Sequence, residues 1–166
     1  MKAITFLMII ICISFEVVGQ ENKLAVFDQM VGKTWRAEGK WKDGSDFKQE
    51  VTIEYALDST LVISKTKSFT DEKQQKFGMR NYGIRKYDSE KDEILFWEFD
   101  ITNSLTEGKV KVKGKNVYFI YTYGYSLVTD GWEYRDDNSY ILKIGVFDGE
   151  NWEKTYLEVV YTLVDE

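Results

Sequence analysis

The sequence predicts an all-β fold: a closed, antiparallel, up-and-down barrel of about ten strands, with a short N-terminal helix plugging one end. Three observations carry that prediction. Ten β-rich segments follow one another from Thr34 to Val164, separated by short turns. Their inward and outward faces can be phased through every intervening turn. The chain of 166 residues contains no proline, which suits strands joined by tight connections.

The first residues stand apart from this pattern. Met1-Lys2 is a short basic region, Ala3 to Phe15 is almost wholly apolar, and Val17-Val18-Gly19 has the small residues of a cleavage site. The expectation is a signal peptide over residues 1–19, a mature chain starting at Gln20, and a single barrel domain over 20–166, periplasmic or secreted. The apolar run is too short to span a bilayer as a helix. Retention as an anchor is the weaker reading, and a lipid-modified Cys12 would need a small residue where Ile11 stands. Cys12 is the only cysteine and would leave with the signal, so the mature protein is expected to have neither disulfide nor thiol chemistry.

Asn22 to Met30 is the one helical candidate, with Leu24, Phe27 and Met30 or Val31 at helical spacing and Gly32 as the stop. The predicted strands are Thr34–Trp41, Phe47–Leu57, Thr60–Phe69, Lys76–Tyr87 and Glu93–Asp100, then Leu105–Val112, Asn116–Tyr123, Ser126–Arg135, Ser139–Phe147 and Trp152–Val164. Asp148-Gly149 is the strongest hairpin signal between them.

Side chains alternate along a strand, and facing residues of a hairpin share a side. Glu107, Lys109 and Lys111 must face water, which turns Thr106, Gly108, Val110 and Val112 inward. Propagating that choice places Val117, Phe119, Tyr121 and Tyr123 inside, then Leu95, Trp97 and Phe99, then Met79, Asn81, Gly83 and Arg85. Val62, Ser64, Thr66, Ser68, Val51, Ile53, Tyr55, Trp35, Ala37, Gly39 and Trp41 follow on one side. Val128, Asp130, Trp132, Tyr134, Tyr140, Leu142, Ile144, Val146, Leu157, Val159, Tyr161 and Leu163 follow on the other. Ile84 and Ile120 are left as outward aliphatics. The turns at Asp58, Asp88, Gly114 and Asp136 share an end with the helix. The opposite end carries the longer Thr70–Gln75 loop and an aromatic rim of Trp41, Phe47, Phe77, Phe99 and Tyr123, and is the expected mouth.

Composition excludes several function classes. A formal charge of −6 argues against nucleic acid and anionic membranes as partners. There is no histidine, which removes histidine acid–base catalysis, the usual zinc sites and His-ligated haem. No cofactor and no metal is expected. Asp43-x-Ser45-Asp46 and Asp136-Asp137-Asn138 read as polar turns without the spacing of a calcium loop. Glu98, Asp100 and Glu107 are phased outward as a solvated charge ladder rather than as catalytic carboxylates.

Phe27-Asp-Gln-Met-Val-Gly32-Lys-Thr-Trp35-Arg-Ala-Glu-Gly39 resembles the opening of the calycins: a short helix, a glycine, then a tryptophan beginning the first strand. Gly83-Ile-Arg-Lys-Tyr-Asp88 and Glu107-Gly108-Lys-Val110 resemble the middle hairpins of their nitrobindin-like branch. The resemblance implies a ten-stranded barrel with one internal pocket. That branch holds haem through a C-terminal histidine, which this chain lacks, so haem is not expected by that route. Lipocalins carry a late arginine against the first-strand tryptophan, whereas here the last strand has Lys154 and no arginine.

The expected ligand-binding residues are Arg85, Asn81, Ser64, Thr66, Trp97, Phe99, Phe119, Tyr121, Tyr123, Asp130 and Trp132, with Trp35 a core residue. The aromatic side chains would bury a small apolar or amphipathic molecule and the polar ones would orient it. Arg85 has three readings: an ion pair with Asp130, packing on Trp35 in place of the lipocalin arginine, or a grip on a ligand anion. A filled barrel that binds a protein or glycan is the alternative. An enzyme ranks last, because no nucleophile–base pair is visible.

Overall fold

The computed structural model describes residues 22–164; the expected signal peptide lies outside the described residues. Ten antiparallel strands form a closed barrel: β1 (Lys33–Lys40), β2 (Asp46–Ala56), β3 (Leu61–Phe69), β4 (Phe77–Asp88), β5 (Glu93–Asp100), β6 (Leu105–Lys113), β7 (Asn116–Tyr123), β8 (Ser126–Asp136), β9 (Ser139–Phe147) and β10 (Trp152–Leu163). Every strand pairs with its sequence neighbours, and β1 meets β10 to close the ring through Trp35↔Leu163 and Arg36↔Thr162. Turn chemistry supports the pairing. Gly114 and Gly124 adopt φ of 62° and 61° in the tightest hairpins, a left-handed backbone that glycine takes without a steric cost.

The helical candidate shortens to a 3₁₀ turn, Lys23–Phe27, capped by the Asn22 side chain, which accepts from Leu24 N at 3.0 Å. A few apolar residues suffice to seat it. Leu24, Phe27 and Met30 are buried, the Tyr55 hydroxyl donates to Leu24 O at 3.0 Å, and Trp35 Nε1 donates to Met30 O at 3.2 Å. This segment seals the end of the barrel where Trp35 sits, with Trp35 packed edge-on to Tyr140 at 5.1 Å between ring centres.

The predicted inner face holds on most strands and fails on β5. There Ile94, Phe96 and Glu98 point inward, while Leu95, Trp97 and Phe99 point outward, Phe99 being 49% exposed. The reason lies in two turns. Asp88 pairs with Glu93, so the β4–β5 connection holds one residue fewer than the sequence suggested. Asp100 N donates to Ser104 O at 3.0 Å, which shortens the β5–β6 connection by one as well. Each slip inverts the side of every following residue; two slips in succession cancel, so β4 keeps its predicted face and β5 alone is reversed. Met79 is a separate correction. A bulge at Arg80, between the pairs Thr66↔Asn81 and Lys67↔Met79, turns Met79 out to 50% exposure. Outside, Ile63, Ile84 and Trp97 are register neighbours across β3, β4 and β5, which gives Ile84 and Trp97 apolar company.

Candidate functional site

Above the sealed end the interior is hollow. A central chamber of about 250 Å³ adjoins a wider vestibule of about 490 Å³, and Gln49, Asn81, Tyr121 and Asp130 line both. The vestibule opens at the predicted mouth, between Trp41, Phe47 and the loop carrying Asp71, Glu72 and Gln74. Gln74 fastens that loop to the start of β2: its Nε2 donates to Asp46 O at 2.7 Å and its Oε1 accepts from Asp46 N at 3.1 Å. Below the chamber only a residual void of about 30 Å³ separates Arg85 from Phe27 and Met30.

Arg85 is the centre of the polar wall. Its Nη1 donates to Ser64 Oγ at 2.6 Å, its Nη2 forms an ion pair with Glu98 Oε1, and its Cζ lies 4.9 Å from the centre of the Phe119 ring. Asn81 Nδ2 donates to the other Glu98 oxygen at 3.0 Å. Gly83 makes the arrangement possible, because a Cβ there would run into Arg85, Glu98 and Ser64 together. Neither of the two structural readings of Arg85, a pair with Asp130 or packing on Trp35, is what the fold adopts. Its carboxylate partner is Glu98, which the reversed β5 face brings inside; Trp35 packs on Tyr140 instead.

Asp130 faces the chamber from β8, and its hydrogen bond comes from the Tyr121 hydroxyl at 2.9 Å. Burial pushes its carboxyl up to about 7; the like charge of Glu98 adds to this, and the Tyr121 bond and Arg85 oppose it. Burial, with Asp130 next to it, drives the Tyr121 hydroxyl far above the ordinary phenol range. The apolar side of the chamber is aromatic. Phe96 meets Phe119 edge-on at 5.3 Å and Tyr121 at 6.2 Å, and Trp132 stacks on Tyr161 at 4.3 Å.

Of the eleven predicted site residues, Ser64, Thr66, Asn81, Arg85, Phe119, Tyr121, Asp130 and Trp132 converge on the chamber. Tyr123 reaches its lip but is 74% exposed. Trp97 and Phe99 do not belong to it. Sequence reasoning missed Phe96, Glu98 and Gln49. Glu98 had a readable signal: a buried arginine beside a glycine calls for a carboxylate on the neighbouring strand. Asp100 was also read as solvated, yet it lines the vestibule and accepts from Arg80 Nε at 2.9 Å. The two acidic turns are local. Asp43 accepts from Ser45 N at 2.9 Å and Asp136 from Asn138 N at 3.0 Å.

No protein family and no curated protein matches this sequence.

Proposed function

We propose that this chain is an exported, lipocalin-like barrel of the calycin type whose chamber binds a small amphipathic molecule. The single observation that carries the reading is the chamber itself, ringed by β-strands, adjoining a vestibule at the mouth, and lined by Phe96, Phe119 and Trp132 together with Arg85, Glu98, Asn81 and Asp130. Concave sites that bring aromatic surface and convergent polar groups together are where small ligands bind. The basic and apolar start of the sequence supports export. The role is carriage or capture rather than catalysis: among the described residues no nucleophile lies beside a base.

A second reading, docking to a protein or glycan, draws on the outer surface. Tyr82, Phe99 and Leu105 are exposed register neighbours on β4, β5 and β6, and Tyr125 and Leu127 project from the β7–β8 hairpin. The test that separates the readings is native mass spectrometry of protein purified from its own host, followed by solvent extraction. A small molecule of defined mass that is lost on extraction supports the chamber. An empty barrel that retains a macromolecule, released by Phe99→Ser and Tyr125→Ser, overturns it in favour of the outer surface.

A further inference from the structure

The chamber's hydrogen-bonding groups are unevenly supplied with partners. Arg85, its one cation, is engaged by Ser64 and Glu98 and lies against Phe119. Asn81 spends its amide nitrogen on Glu98, which leaves Asn81 Oδ1 buried with no donor. Asp130 has the Tyr121 hydroxyl on one oxygen and, among the described residues, no hydrogen-bond donor on the other. Asp130 lines the chamber, and a ligand that brings an N–H group to its second oxygen supplies the missing partner. Charge points the same way. In the chamber Glu98 and Asp130 face Arg85 alone, and in the vestibule Asp46, Asp71, Glu72 and Asp100 outnumber Lys48 and Arg80. Aromatic walls add to the attraction, because ring faces favour cations.

We infer that the chamber selects a small ammonium compound bearing an aromatic or branched apolar group, with Asp130 as its counter-ion. This rests on the ligand-binding reading above and narrows it to cations, against the carboxylate ligand that an inward arginine would suggest. It also makes binding depend on pH. The groups facing Asp130 are Tyr121 from β7, Glu98 from β5, Arg85 from β4 and Tyr161 from β10. With its carboxyl at about 7, Asp130 is half protonated near neutrality. An ammonium favours the ionised form, so affinity rises as pH passes upward through that value, and binding below it expels a proton.

The experiment is calorimetric titration of the mature protein with 2-phenylethylamine, 2-phenylethanol and 3-phenylpropionate, one below and one above the Asp130 value. The amine is expected to bind about tenfold or more tightly than the other two at the higher pH, a difference of about 1.4 kcal/mol per tenfold. The amine-to-alcohol ratio should fall to about one in Asp130→Asn, whose amide oxygen can still accept from Tyr121. Wild type needs no variant for the second readout: in buffers of different ionisation heat, the amine should release a proton at the lower pH and the alcohol none. Equal binding of all three, tightest binding of the carboxylate, or binding of none overturns the inference. The ligand-binding reading falls separately, only if host-purified protein also yields no extractable small molecule.

Discussion

The two halves of the barrel interior share one architecture and differ in what fills it. At the sealed end, Trp35, Phe27, Met30, Val62, Tyr140 and Leu24 are packed with almost no accessible surface. Toward the mouth, the same inward positions carry Arg85, Glu98, Asn81, Asp130 and Gln49 around an open chamber. Strand geometry sets where side chains point in both halves; only side-chain identity decides whether the space closes. One half therefore supplies stability and the other tolerates polar burial that subtracts from it.

The comparison breaks first if the sealed end is not the stabilising one. Trp35→Ala should cost about 3–5 kcal/mol in urea unfolding, as for other buried large-to-small changes. It should leave the amine-to-alcohol ratio intact in protein that remains folded. Arg85→Met should cost somewhat less, about 3 kcal/mol, because Glu98 would stay inside without its cation. Unlike Trp35→Ala, it should also raise the amine-to-alcohol ratio, because Glu98 is left without its cation.

Asp130 sharpens the comparison through pH. Its carboxyl lies at about 7 in the fold and about 4 in the unfolded chain. Between those values the folded state holds the extra proton, so this group's contribution to stability falls as pH rises from about 4 to about 7 and is flat above. Asp130→Asn removes that slope. The variant's stability relative to wild type should climb by a few kcal/mol over that interval, read from unfolding curves at a series of pH values. A constant difference would mean that Asp130 is solvated. The smallest expected effect is on the outside. Phe99→Ser should change stability by less than about 1 kcal/mol, whereas Phe96→Ala should cost about 3 kcal/mol or more. The reverse ranking would restore the face of β5 first read from sequence.

Fold class, strand order and the mouth were legible because alternation and turn residues are local signals. Lys109 and Lys111 against Val110, or Lys65 and Lys67 against Thr66, name their sides unaided. The run Glu93-Ile-Leu-Phe-Trp-Glu-Phe-Asp100 does not, since large apolar residues occupy both faces and the side rests on turn length alone. A closed ring gave no warning, because two successive slips restore agreement on the next strand. The chamber lining was therefore legible on β3, β4, β7 and β8, lost on β5 together with Glu98, and overlooked at Gln49 on β2. The Arg80 bulge carried no such signal: Met79 and Arg80 both fit a strand, and the bulge is set by how β4 meets β3.

The seam between β1 and β10 has a consequence for how this protein reaches its fold. All other ladders join strands adjacent in sequence, so they can form as successive hairpins, each closing a short loop. The seam alone joins the two ends of the domain, through Trp35↔Leu163 and Arg36↔Thr162. The chain can thus assemble an open, curling sheet early and commit to a cylinder last, when the first and last strands are both present. Pulse-labelled hydrogen exchange during refolding should find the seam amides protected after those of the β7–β8 hairpin. Simultaneous protection would make the closing of the ring part of the nucleus instead.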